Sequence, residues 1–180
     1  MDMRSADFQQ DFFSLFNLPT RYQIDSIALE QSFLALQAKV HPDKSSHLSE
    51  AERRLSMQWA TRVNEGYQTL RNPLDRARYL LSLQGVHTLE DSNTAMPVDF
   101  LMQQMEWREA LEESKQTKDI SALEELEQHV QHEVSILQQQ LAADIDDTRD
   151  YAAASGIVRK LKFLEKLAEE IGSAFDELDT

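Results

Sequence analysis

Apolar side chains along this chain recur every three or four residues, in series long enough for helices of several turns. The first series consists of Leu29, Phe33, Leu36 and Val40. The second consists of Leu55, Trp59, Val63, Tyr67 and Leu70. Because an α-helix turns once in about 3.6 residues, each series forms one apolar face. The pattern therefore predicts two amphipathic helices that pack as an antiparallel hairpin.

Residues that favour helix ends flank both series. Asp25 is placed to cap a helix over residues 26–40, because its carboxylate can accept the free N–H groups of the first turn. Ser49 and Glu52 have the spacing of a capping box at the start of the second helix. Pro73 is expected to end that helix and to start the next one.

A different arrangement follows the hairpin. Gly85 can end the helix that starts at Pro73, and residues 86–96 have no helical periodicity, which is typical of a linker. Three segments with helical periodicity come next, at 97–116, 121–146 and 151–178. Their short connections make neighbours antiparallel, so the second half is predicted to be a three-helix bundle with coiled-coil-like packing.

The last two of these segments have long apolar stripes. One stripe consists of Leu123, Leu126, Val130, Val134, Leu137, Leu141 and Ile145. The other consists of Ile157, Leu161, Leu164, Ala168, Ile171, Phe175 and Leu178. Ser121 and Glu124 have the spacing of a capping box at the start of the first of these helices. The predicted fold class is all-α, with an N-terminal helical hairpin and a C-terminal bundle.

The hairpin turns at His41-Pro42-Asp43, followed by Lys44. Pro42 has no backbone N–H and a fixed φ, so a helix cannot run through it, and the residue before it is biased toward extended geometry. This sequence is either an ordinary helix-stopping turn or a polar loop held out for a partner.

Two antiparallel amphipathic helices joined by a His-Pro-Asp loop resemble the J-domain, the module by which J-proteins stimulate the ATPase of DnaK-class chaperones. The flanking sequences look like those of the HscB family, at 11–19, 63–70, 72–74 and 76–81. The resemblance extends over nearly the whole chain, from about residue 11 to 175. It implies a J-domain at 11–85, a linker at 86–96 and a scaffold-binding bundle at 97–180. Residues 1–10 fall outside the resemblance and are expected to be a poorly ordered tail.

Composition narrows the class of protein. The chain has no cysteine, which excludes disulfides, thiolate nucleophiles and cysteine-ligated metals. No apolar run approaches the roughly 18 residues of a membrane span, and the N-terminus has no signal-peptide pattern. We therefore expect a cytoplasmic protein, and nothing in the sequence calls for a cofactor.

Charge is divided unevenly between the halves. Residues 1–84 carry ten Lys or Arg and ten Asp or Glu, whereas residues 85–180 carry eight and 22, which accounts for the whole net charge of −14. An acidic surface repels phosphate backbones and argues against nucleic-acid binding there. The excess is either ordinary solvation of helix faces or a means of recruiting a basic partner.

Apolar residues outside the core stripes are the functional candidates of the second half. On the helix at 97–116, Phe100, Trp107 and Leu111 define the core side. The other side mixes large apolar and acidic residues, namely Leu101, Met102, Met105, Glu106, Glu109 and Glu113. Phe163 lies opposite the core stripe of the last helix, among three lysines. These apolar residues have two interpretations. Either they form a binding surface, or Leu101 and Met105 widen the core contact and Phe163 is an isolated surface residue.

The resemblance implies a co-chaperone of iron–sulfur cluster assembly. The bundle would hold an IscU-type scaffold protein, and the J-domain would deliver it to an HscA-type chaperone and promote ATP hydrolysis there. ATP would be bound by the partner, so the chain itself is not expected to be an enzyme. The runner-up is a general J-protein that loads another client onto a DnaK-class chaperone.

The resemblance also implies which residues touch each partner. The chaperone would be contacted by Lys39, His41, Pro42, Asp43 and Lys44. The scaffold would be contacted by Leu101, Met102, Met105, Glu106, Glu109, Glu113 and Phe163. The chain departs from the wider J-domain pattern at 26–40, a segment usually rich in Lys and Arg, which here contains only Lys39.

Two histidines three residues apart, His129 and His132, also require an interpretation. Such a pair on one helix can suggest a metal site. Both fall on the polar side of their helix and no third ligand is evident, so solvated histidines are expected and no metal is predicted.

Overall fold

The computed structural model describes residues 8–40, 48–88 and 95–178, and every regular element in these ranges is helical. The helices are α1 (Phe12–Leu15), α2 (Ser26–Val40), α3 (Glu50–Arg71), α4 (Pro73–Leu83), α5 (Val98–Thr117), α6 (Ile120–Ala142) and α7 (Tyr151–Leu178). A π-helical turn, Ala143–Thr148, follows α6. The chain divides into two compact units, Met1–Leu80 and Leu81–Thr180. The predicted all-α architecture, a hairpin followed by a bundle, is confirmed.

Side-chain caps start the two hairpin helices where the sequence predicts them. The Asp25 carboxylate accepts the N–H groups of Ile27 and Ala28 at 2.9 and 3.1 Å. At α3, the Glu52 N–H donates to Ser49 Oγ at 3.3 Å, while Glu52 Oε2 accepts the Ser49 N–H at 3.0 Å. These bonds satisfy N–H groups that have no partner inside the helix.

The hairpin is closed by apolar packing between α2 and α3. The buried residues on its inner faces are Leu29, Leu36, Val40, Trp59, Val63 and Leu70. Phe33 and Tyr67 complete the contact, with their rings stacked 4.0 Å apart at an interplanar angle of 12°. Such stacking adds to the free energy of burying the rings. The register of the two helices is therefore specified along their full contact.

Helix α1 docks on the same unit through an aromatic cluster. The Phe12 N–H donates to the Tyr79 hydroxyl at 2.9 Å, and the two rings stack 4.7 Å apart. Burial raises the pKa of the Tyr79 phenol, which keeps the hydroxyl protonated. Asp11 caps α1 by accepting the Ser14 N–H at 2.9 Å. A four-residue helix is held in place by these contacts, since it is too short to be stable alone.

The last residues of the predicted tail at 1–10 are packed rather than loose. Phe8 stacks on Trp59 with 4.1 Å between ring centroids. The Arg62 guanidinium donates to the backbone carbonyl of Gln10. The prediction of a poorly ordered tail is therefore wrong for residues 8–10, where the aromatic and backbone groups have partners on α3.

In the second unit, α6 runs antiparallel to α5 and α7, as predicted for a three-helix bundle. One apolar cluster joins all three helices through Leu111, Leu123, Leu126, Val130, Leu167, Ile171 and Ala174. The predicted stripe of α7 is wrong at Ala168, which is exposed, whereas Leu167 is fully buried. A leucine at that turn buries more apolar area than an alanine, so α7 rotates to place Leu167 inside.

Helix α6 starts and ends differently from the prediction. Its N-cap is Asp119, whose carboxylate accepts the Ala122 N–H at 3.0 Å, and not the proposed box of Ser121 with Glu124. Lys118 has a positive φ of 55° and reverses the chain, so the helix can begin at Ile120, one residue before the predicted start. The predicted helical segment extends to 146, but its last turn is the π-helical turn. No helix within the described ranges is long and apolar enough to cross a membrane.

Gly66 on α3 is where the docking of α1 can be tested. A Cβ there would lie 2.8 Å from Phe12 Cδ1 and 3.0 Å from Phe16 Cε2, both on side chains of the aromatic cluster. We expect Gly66→Ala to destabilise the protein by about 1–3 kcal/mol through overpacking. Gly172→Ala on α7 is the matched control, because a Cβ at that position would meet nothing within 4 Å. This substitution should stabilise the protein by about 0.5–1 kcal/mol, since alanine favours a helix more than glycine does. Urea unfolding of both variants measures the change in the free energy of unfolding. A higher free energy of unfolding for Gly66→Ala would contradict the close packing of α1 on α3.

Asp144 in the π-helical turn generates a pH-dependent prediction. Burial and the nearby Asp150 carboxylate raise the pKa of Asp144. A carboxyl group whose pKa is raised on folding stabilises the folded state at pH values below its unfolded pKa. This contribution to the free energy of unfolding is lost as the pH rises through the folded pKa. We therefore expect Asp144→Asn to raise Tm at pH 7, and we expect this gain to disappear at about pH 3, the lower edge of carboxyl titration. Asp147→Asn, at an exposed position of the same turn, is the control. Equal gains at both pH values would refute the assignment.

Candidate functional site

Helix α5 buries only a narrow stripe of its surface. Its buried residues are Phe100, Gln104, Leu111 and Ser114. On the other side, Leu101, Met102 and Met105 are 42, 58 and 63% exposed. These exposures exclude the alternative in which Leu101 and Met105 widen the core contact. Three large apolar side chains therefore lie at the surface within one five-residue segment.

Acidic residues continue this surface along α5. Glu106, Glu109 and Glu113 are all exposed. Glu106 accepts a hydrogen bond from the Gln103 amide at 3.3 Å, which is a local contact on the same helix. We call the six residues the α5 patch: Leu101, Met102, Met105, Glu106, Glu109 and Glu113. An adaptable apolar centre bordered by carboxylates can bind a partner surface that is apolar and basic.

Three contacts determine how α5 and α7 lie side by side. The Lys160 ammonium lies 5.5 Å from the centre of the Phe100 ring. Further along, Arg108 pairs with Glu170 at 2.8 Å, and Lys115 Nζ lies 3.4 Å from a Glu177 carboxylate oxygen. Residue numbers rise in the same direction on both helices, so α5 and α7 are parallel.

This register brings Phe163 to the level of the α5 patch. Phe163 lies between Lys160 and Glu170, which contact Phe100 and Arg108 respectively. The segment of α5 between those two residues carries the three exposed apolar side chains. Phe163 itself is half-buried, so the prediction of a fully exposed aromatic residue is corrected to a partly covered one. Part of the Phe163 side chain therefore remains accessible.

The contacts between α5 and α7 were missed from the sequence, although a signal was present. Arg108 and Lys115 are seven residues apart, and so are Glu170 and Glu177. Opposite charges that repeat every seven residues on two helices are typical of pairs that flank a coiled-coil seam. That spacing alone would have indicated which two helices are parallel neighbours.

The predicted chaperone-binding residues His41, Pro42, Asp43 and Lys44 lie outside the described residues. The described chain is anchored on both sides of them. Ser56 Oγ donates to the carbonyl of Val40, the last residue of α2, at 3.2 Å, and the capping box fixes the start of α3. Lys39, the remaining member of the set, is exposed in the last turn of α2.

The outward side of α2 carries apolar side chains where cations were expected. Ile27 and Leu34 are 69 and 54% exposed and lie seven residues apart, on the same side of the helix. Lys39 is the only cation of the helix. Contact with a partner through this side would rest on apolar area more than on charge.

The histidine pair and the tryptophans have ordinary environments. His129 and His132 are both exposed on α6. No group of three or more His, Asp or Glu side chains in the described ranges is arranged to hold a metal ion. Trp59 is 1% exposed in the first core, as predicted for a packing residue, and Trp107 packs half-buried against the second.

Comparisons with known proteins agree along the whole chain. The profile of a family described as the HSCB C-terminal oligomerisation domain matches residues 96–172. A co-chaperone protein HscB homolog of Aromatoleum aromaticum is 50% identical over 176 residues, covering 98% of this chain and 99% of the relative. The corresponding homolog of Chromobacterium violaceum is 52% identical over 172 residues, covering 96% and 97%.

Solved structures of similar proteins share the fold. Chaperone HscB from Vibrio cholerae superposes with a TM-score of 0.84 at 37% identity, over 94% of this chain and 99% of that one. The human co-chaperone protein HscB superposes with a TM-score of 0.87 at 30% identity, over 93% and 83%.

Proposed function

Because the chain belongs to the HscB family of co-chaperones, which act in iron–sulfur cluster assembly, we propose that it binds an IscU-type scaffold protein and delivers it to an HscA-type chaperone. Residues 97–180 hold the scaffold, residues 11–85 act as the J-domain, and residues 86–96 link them. The chaperone binds and hydrolyses ATP, and this chain accelerates that step. The setting is the cytoplasm.

The α5 patch together with Phe163 is the proposed scaffold site. The observation that carries it is the register that sets Phe163 level with Leu101, Met102 and Met105. Fully burying a Leu, Met or Phe side chain contributes about 1.5–3 kcal/mol, so two or three of them suffice as anchors. The carboxylates around them steer a basic partner and disfavour an acidic one.

The His-Pro-Asp loop is the proposed chaperone site. Its two ends are tied to the α2–α3 hairpin by the Ser56 to Val40 hydrogen bond and by the cap at Ser49. The loop stimulates hydrolysis only if it binds the hydrolysing conformation of the chaperone more tightly than the other one. A single chain that binds both proteins holds scaffold and chaperone at high effective concentration.

The scaffold site is tested by Leu101→Ala combined with Met105→Ala. Both side chains are exposed, so the variant should unfold at the wild-type temperature and still lose scaffold affinity, by about a hundredfold. Met57→Ala is the control, because Met57 is 69% exposed but lies in the other unit. Titration calorimetry with a purified IscU-type scaffold measures the affinities. Wild-type affinity in the double variant would remove the proposed surface.

The chaperone site is tested by His41→Gln in a steady-state ATPase assay with an HscA-type chaperone. We expect stimulation to fall to the basal rate while scaffold affinity stays within about twofold, since the substitution lies outside the scaffold site. His87→Gln makes the same chemical change at an exposed position outside the loop and should stimulate normally. If His41→Gln still stimulates the ATPase, the loop is only a helix-stopping turn and does not act on the chaperone. Equal stimulation of a general DnaK-class chaperone without any scaffold effect would favour the runner-up function.

A further inference from the structure

A groove of about 420 Å³ runs between α5 and α6, near the turn that joins them. Its floor is apolar and includes Trp107, Ala110 and Leu126. Its volume falls within the range of about 300–1,000 Å³ in which proteins hold small molecules or single side chains. Trp107 is half-buried and lines the groove.

The rim of the groove is acidic on both sides. Glu113 stands on the α5 side, and Asp119 and Glu125 stand on the α6 side. None of these three carboxylates forms an ion pair with a cation in the part of the chain that the structure describes. One Asp119 oxygen is engaged as the α6 cap. His129 is the one basic side chain that lines the groove.

The cations of α5 are all on the opposite side. Arg108 and Lys115 pair with Glu170 and Glu177 of α7. They cannot turn to the groove without breaking those pairs. An apolar, aromatic floor with an unneutralised acidic rim favours a cation that is flat and weakly hydrated, which describes an arginine guanidinium better than a lysine ammonium.

The groove is continuous with the α5 patch, because Glu113 belongs to both. We propose that the groove receives an arginine side chain of the same scaffold protein, with its guanidinium over Trp107 and paired with Glu113 and Glu125. The inference rests on the proposed function and extends it, since it assigns residues of α6 to an interface otherwise built on α5 and α7. The patch supplies apolar anchoring, and the groove selects the partner by charge and shape.

The experiment compares two neighbouring carboxylates of α6 in titrations with a purified IscU-type scaffold. Glu125→Gln removes a groove charge, whereas Glu124→Gln removes an equally exposed charge that does not line the groove. At about 50 mM salt we expect Glu125→Gln to weaken binding by about three- to tenfold and Glu124→Gln by less than about twofold. The difference should shrink at about 500 mM salt, because exposed charges are then screened.

A second pair of variants tests the shape of the groove. Ala122→Met fills it from the α6 side, and Ala168→Met places the same side chain on an exposed position of α7. Only the first should weaken binding. On the scaffold, replacing its arginines one at a time by lysine should reveal one whose loss is not additive with Glu125→Gln.

The outcomes separate this inference from the proposed function. If Glu125→Gln and Glu124→Gln bind alike while the Leu101/Met105 double variant loses affinity, the groove inference is overturned and the patch stands. If the double variant binds normally but Glu125→Gln does not, the α5 patch is refuted as the scaffold site and the groove is supported. A scaffold that fails to bind the wild-type protein overturns both.

Discussion

Helix α5 contacts the rest of its unit along one narrow stripe, and the proposed scaffold site depends on this constraint. Two of its four buried residues, Gln104 and Ser114, are polar, so apolar burial holds α5 less strongly than it holds α6 or α7. A helix seated this way keeps most of its circumference outside. Leu101, Met102 and Met105 can then be exposed without disturbing the core, and clustered exposed apolar residues of this kind mark interaction sites.

In the first unit, packing holds together the two helices that flank residues 41–47. Stacking of Phe33 on Tyr67 and the packing of Trp59 hold α2 against α3. The bond from Ser56 to the Val40 carbonyl then ties the last turn of α2 to its neighbour. Together these contacts fix the end of α2 relative to α3. The proposed chaperone-binding segment therefore follows a helix end whose position is fixed by packing.

Sequence reasoning succeeded where a single local interaction determines the outcome. The caps at Asp25 and Ser49 each have one good candidate, and both helices start where predicted. At α6 two residues able to cap lie close together, and the choice of Asp119 depends on the left-handed turn at Lys118, a residue type that does not signal it. At α7 the spacing allows either Leu167 or Ala168, and only the volume available in the core decides. A helix cap with one candidate residue can be predicted from the sequence. Where two neighbouring residues could take the same position, tertiary packing decides which one does.

The same division applies to the candidate site. Helical periodicity left open whether Leu101 and Met105 widen the core contact, and their exposure in the folded unit decides it. Bringing Phe163 level with them required the register of two helices about 60 residues apart in the chain. That register uses both cations of α5 within its ion pairs to α7. Neither cation is then available to the carboxylates on the groove side of α5. The uncompensated negative charge of the groove is thus a local consequence of this register, whereas the net acidic excess of the second half is set by its composition.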